Sequence, residues 1–125
     1  MATIKSCTDL EQSKKLAEIL PLETADMFLA MNGILPVISK YIDNGLVPGD
    51  NTAIPCWSLA ALVSILPMIR KGEDTANPFI AKTPDNEYYI VYATLTEEVD
   101  ASPMYDNPID ACVTMIETLH ELNLL

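Results

Sequence analysis

The most apolar tract of the chain is residues 53–69, AIPCWSLAALVSILPMI, which holds no charged side chain and only two hydroxyl-bearing ones, Ser58 and Ser64. Pro55 suits a first helical turn, where a missing N–H costs nothing, and Pro67 is a stop. CWSLAALVSIL between them is rich in helix formers and predicts a helix of about 12 residues, near 18 Å long. A hydrocarbon core of about 30 Å is too thick for that length, so the tract reads as a core helix and not as a membrane span. Arg70, Lys71, Glu73 and Asp74 follow at once. Being apolar on nearly all sides, such a helix needs more than one neighbour, and Trp57 is expected inside with its indole N–H paired.

The flanking patterns are more amphipathic. CTDLEQSKKLAEILP (7–21) places Leu10, Ser13, Leu16, Ala17 and Leu20 on one helical side and Lys14, Lys15 and Glu18 on the other. Thr8 with Glu11 three residues on has the form of a capping box, and Pro21 ends the helix. ETADMFLAM (23–31) supports two readings: a strand with Met27, Leu29 and Met31 on one face, or a helix. LPVISKYIDNGL (35–46) is equally open, with Pro36 suited to a helix start and Asn44-Gly45 to its stop. VPGDNTAIP (47–55) reads as a loop. NPFIAKTPDNEYYIVYATL (77–95) is the clearest β signal: TPDN has turn chemistry, and Tyr88, Ile90 and Tyr92 alternate against Tyr89, Val91 and Ala93. TEEVDASPMYD (96–106) reads as an acidic surface loop. NPIDACVTMIETLHELNLL (107–125) predicts a closing helix with Asn107 as cap, Pro108 at the first position and Asp110 completing the cap. Ile109, Cys112, Val113, Ile116 and Leu119 form its apolar stripe; Asp110, Thr114, Glu117, Thr118 and Glu121 form its wet face.

Together these elements predict an α+β fold. We expect a single small domain over residues 1–125, with an N-terminal helix, a buried central helix, an antiparallel β-hairpin of two or three strands, and a C-terminal helix. A chain of 125 residues buries enough surface to stand without a disulfide or metal staple. Charge changes the picture more than length does. Residues 1–82 hold nine Asp and Glu against seven Lys and Arg, whereas residues 83–125 hold nine acids and no Lys or Arg. Binding a phosphate backbone needs clustered cations, so direct nucleic-acid binding and adsorption to an anionic membrane are not expected. The plain reading of the acids is solubility. Cys7, Cys56 and Cys112 are scattered, odd in number and form no CxxC pair, which fits a reduced cytoplasmic protein. MATIKSCTDL has no apolar signal core.

ETADM (23–27), IPCWSLAALVSILP (54–67) and the closing NPIDACVTMIETLHELNLL, in this order and at these spacings, resemble a group of short uncharacterised proteins. Those are encoded in phages, prophages and mobile elements of gut anaerobic bacteria. The likeness rests mainly on Pro55-Cys56-Trp57-Ser58-Leu59; the final helix is generic. In such proteins the Trp-Ser-Leu helix leads into a β-hairpin and a closing helix. The segment 32–52 departs from that pattern and reads as an insertion. The resemblance implies an α+β domain of mobile-element origin. It implies no activity and carries no catalytic residue over.

Candidate chemistry is sparse, and no catalytic, cofactor-binding or metal residue is nominated. His120, the one histidine, projects onto the apolar side of the last helix near Ile109, Val113 and Ile116. As a general base it has Glu117 or Glu121 nearby; the plainer reading is a helix-end residue favoured by the C-terminal dipole. Cys112 and His120 lie about 12 Å apart along one helix, too far for a hydrogen-bonded dyad. Cys56 meets His120 only through tertiary folding, and a core thiol is the plainer reading. One His and three scattered Cys do not make a zinc site. Glu97, Glu98, Asp100, Asp106 and Asp110 support at most weak calcium binding at the surface. Ser58 lacks the flanking glycines of a nucleophile elbow. Tyr88, Tyr89 and Tyr92 fit cross-strand packing better than a base-stacking platform.

Three functions remain open. The first is a small binding or scaffold module acting on a protein partner or as a homodimer, through the hairpin edge or the His120 side of the last helix. The second is an acidic nucleic-acid mimic that occupies a host DNA-binding protein, which requires acids spaced like phosphates on one face. The third is a thiol enzyme using Cys56 or Cys112 with His120.

Overall fold

The computed structural model describes residues 5–30, 35–38 and 54–125. Among them are three α-helices and two antiparallel sheets, an α+β fold as the patterning predicts. The elements are α1 (Leu10–Ile19), a 3-10 turn (Leu22–Thr24), β1 (Met27–Ala30), β2 (Leu35–Ile38), β3 (Ile54–Cys56) and α2 (Leu59–Ile65). After them come β4 (Ile69–Lys71), β5 (Asp74–Lys82), β6 (Tyr88–Ala93), β7 (Glu98–Ala101) and α3 (Pro108–Glu121). The chain groups into two compact units, Ser6–Leu62 and Val63–Leu125, the second taking in Lys5 as well.

In the N-terminal unit, α1 buries Ser13, Leu16 and Leu20 and exposes Lys14, Lys15 and Glu18, the two sides expected from the helical period. Its capping box is one residue later than the expected Thr8–Glu11 pair. Gln12 N–H donates to Asp9 Oδ1 at 2.9 Å and Asp9 N–H donates to Gln12 Oε1 at 3.1 Å. Thr8 has other work: its hydroxyl accepts from Trp57 N–H at 3.1 Å and lies 2.7 Å from Ser13 Oγ. The segment left open between strand and helix is a strand, β1, at the centre of a β2-β1-β3 sheet. The register pairs Leu29 with Pro36 and Phe28 with Pro55. Both prolines therefore stand in outer strands, where a residue without an N–H is tolerated. Pro36 opens no helix here, and Pro55 belongs to β3 instead of a first helical turn. Met31, residues 39–46 and most of the loop at 47–53 lie outside the described residues.

The apolar tract is thus divided. Ile54–Cys56 is strand, and the helix is the seven residues Leu59–Ile65, shorter than the sequence predicts. Ser58 marks the boundary: its hydroxyl accepts from Ala61 N–H at 3.2 Å, an N-cap bond. Asp26 accepts in turn from Ser58 N–H at 2.9 Å and from the Ser58 hydroxyl. Trp57 is fully buried, and its indole N–H donates to Thr24 Oγ1 at 2.9 Å, as expected of a core tryptophan.

The C-terminal unit is a four-stranded meander, β4-β5-β6-β7, with α3 packed along β6. Gly72 joins β4 to β5 at φ +65°, a conformation that suits a residue without Cβ. The expected TPDN turn joins β5 to β6, with Asn86 at φ 62° and Thr83 N–H donating to Glu87 O at 2.8 Å. The stretch at 96–106 is not all loop: Glu98–Ala101 forms β7 and pairs with β6. Its polar composition hides it, because Glu98 and Asp100 face solvent and only Val99 is half-buried. In α3, Asn107 Oδ1 accepts from Asp110 N–H at 2.9 Å and Pro108 opens the helix. Ile109, Cys112, Val113, Ile116 and Leu119 are all buried. His120 is not on that stripe; it is exposed in the last turn, which corrects the expected placement.

Candidate functional site

The C-terminal unit carries an open apolar pocket of about 250 Å³. Val63 and Leu66, from the last turn of α2 and the residue after it, form one wall. Pro78, Phe79 and Ile80 of β5 and Ile90 of β6 form the rest. Ile80 stands opposite Ile90, and Pro78 opposite the buried Tyr92, so these four share one face of the sheet. Ile90 is a fully buried floor, whereas Phe79 (54 % exposed), Ile80 (43 %) and Val63 (38 %) give the pocket an apolar rim open to water. On the same sheet face, Tyr92 Oη donates to Pro67 O at 2.7 Å. Such a lining recognises an apolar side chain by exclusion of water, and it offers no group for proton transfer or covalent chemistry.

None of the pocket residues was nominated from the sequence. The one legible signal is Phe79-Ile80, two large apolar neighbours in a strand whose period leaves only one of them a buried side.

The residues that sequence reasoning did weigh stand elsewhere. Cys112 is buried under α3, and burial pushes its thiol up from 9.0 to about 12. His120 lies two turns further along the same helix, in solvent. Cys56 is fully buried beside Cys7 and Leu29. The hydrogen bond with the Cys7 thiol pushes Cys56 upward most, followed by burial and by the charges of Cys7 and Asp26. A thiol nucleophile needs the opposite shift, so neither cysteine is activated. Ser58 is a helix cap held by Asp26. Among the acids, Asp110 pairs with Lys5 at 2.7 Å and Glu97 with Lys71 at 3.0 Å. Among the described residues no group of three or more His, Cys, Asp or Glu side chains is placed to hold a metal ion. Tyr88 stands opposite Lys82 with its ring 5.6 Å from the ammonium, a cross-strand pair. No described helix is long and apolar enough to cross a membrane. Compared with known proteins, the chain matches no family model, no curated protein and no solved structure.

Proposed function

We propose that the chain is a non-catalytic protein-binding module whose C-terminal unit takes a cationic protein segment bearing an apolar anchor residue. The observation that carries this reading is the open pocket lined by Val63, Leu66, Pro78, Phe79, Ile80 and Ile90. An exposed apolar rim costs solubility unless something covers it. Charge selects what covers it. Residues 63–125 hold eleven Asp and Glu against Arg70, Lys71 and Lys82. That field draws in a basic segment and repels a second copy of the same chain. The pocket volume suits one large aliphatic or aromatic side chain; the net negative charge of residues 63–125 favours Lys or Arg flanking that anchor.

The test uses the full chain and synthetic peptides with a central Leu or Phe between lysines, titrated by fluorescence anisotropy. Binding is expected, weakening as salt rises and disappearing in Ile80→Glu. Val63→Glu is a second rim variant, and circular dichroism reports that each is folded. A peptide with glutamates in place of lysines is expected not to bind. Equal binding to wild type and to both rim variants would mean that charge alone attracts the peptide, and the pocket reading would fall. Absence of binding at low salt would overturn it outright.

A further inference from the structure

We propose that Cys7 and Cys56 form a dithiol that hydrogen peroxide closes to a disulfide, which makes this pair a site of reversible oxidative modification. The pair lies within the N-terminal unit and owes nothing to the pocket described above. Sequence spacing hides it, since the two cysteines are far apart in the chain; the fold brings them into one small buried cluster with Leu29. Both side chains pack in that cluster, Cys56 fully enclosed and Cys7 nearly so. The backbone on either side is pinned as well: Thr8 N–H donates to Trp57 O at 2.9 Å, and Trp57 N–H donates to Thr8 Oγ1 at 3.1 Å. Residues next to both cysteines are thus tied together by hydrogen bonds. A disulfide needs Cα atoms about 4.4–6.8 Å apart, and the shared cluster together with the tied neighbouring residues is the geometry that brings the pair toward that span. All three cysteines are reduced thiols in the fold.

The two sulfurs are not equivalent. Cys7 is 6 % exposed and Cys56 is fully enclosed, so a small oxidant meets Cys7 first. The Cys7 sulfur attacks one peroxide oxygen, forming S–O and breaking O–O. Hydroxide leaves and takes up the thiol proton as water, and Cys7 is left as a sulfenic acid. The Cys56 sulfur then attacks the Cys7 sulfur, forming S–S and breaking S–O, and a second water leaves with the Cys56 proton. Two thiols have lost two electrons in all, and one peroxide has become two waters. Access makes Cys7 the first sulfur to meet the oxidant, and the shared cluster places Cys56 as its resolving partner. Cys112 is equally buried but has no cysteine neighbour in the C-terminal unit, so it serves as an internal control.

The experiment exposes the folded full chain to hydrogen peroxide, blocks remaining thiols with N-ethylmaleimide after denaturation, and maps peptides by mass spectrometry. The expected product is a Cys7–Cys56 linked peptide that dithiothreitol reverses, with Cys112 recovered as the blocked thiol. Cys112→Ser is expected to give the same linkage, and Cys7→Ser none. Three intact thiols after peroxide, bridges that include Cys112, or sulfinic and sulfonic acids without the Cys7–Cys56 link would each overturn the proposal.

Discussion

A few single residues carry disproportionate weight, and Trp57 is the clearest. Its side chain is fully buried, so its one polar atom needs the Thr24 hydroxyl at 2.9 Å. Thr24→Val keeps the shape and strands the indole N–H; we expect a loss of about 1–3 kcal/mol in urea denaturation, with little change in slope against denaturant. Two other buried groups make stability depend on alkaline pH. Burial pushes Cys112 from 9.0 to about 12. Burial, with a smaller effect of the nearby Cys112, pushes Tyr92 from 10.0 to about 12. The folded chain keeps both protons where the unfolded chain releases them. Their contribution is complete below pH 9.0 and drains away as pH rises toward about 12. The expected slope is about −1.4 kcal/mol per pH unit for each group within its window. Urea midpoints measured across that range should fall less steeply in Cys112→Ala, whatever the absolute cost of the substitution.

At the scale of elements, the local code is strongest where a cap, a proline and an apolar stripe agree. All three do so in α3. Asn107 accepts from Asp110 N–H, and its amide donates to the Asp110 and Asp106 carboxylates at 2.8 and 2.9 Å. Asn107→Ala should cost about 1 kcal/mol of unfolding free energy, and Asn107→Ser should recover most of it. The local code was weakest where tertiary pairing chose between states. MFLA tolerates helix and strand alike, and β1 became a strand because β2 and β3 supply partners on both its edges. The same pairing took Ile54–Cys56 out of the central helix. Pro36 and Pro55 were readable as helix openers or as edge-strand residues, and only the register decided. In β7 the misleading feature was polarity: an outer strand with Glu98 and Asp100 in water does not look apolar.

At the scale of the whole molecule, charge dominates. The sequence holds 18 acids against seven Lys and Arg, a net −11. Described ion pairs such as Lys5–Asp110 and Lys71–Glu97 leave most of the acids uncompensated. Self-repulsion of that size works against the folded state and is screened by salt. Raising sodium chloride from low to physiological strength should therefore raise the urea midpoint; a fall would show that the ion pairs outweigh the repulsion. The same imbalance sets the proposed partner's sign, and it makes the salt dependence of peptide binding opposite in direction to that of stability.

What the sequence determined alone is what depends on neighbours a few residues apart. The faces of α1 and α3, the Asn107 cap and the turn at 83–86 follow from periodicity and from local hydrogen bonding. What only the tertiary structure decided depends on contacts between distant residues. Those are the strand state of β1 and β3, the pairing of β7, the exposure of His120, the meeting of Cys7 with Cys56, and the pocket between α2's last turn and β5. The reason is physical: a helix or a turn closes its own hydrogen bonds within the segment, whereas a strand or a pocket is completed by groups that the chain brings in from elsewhere.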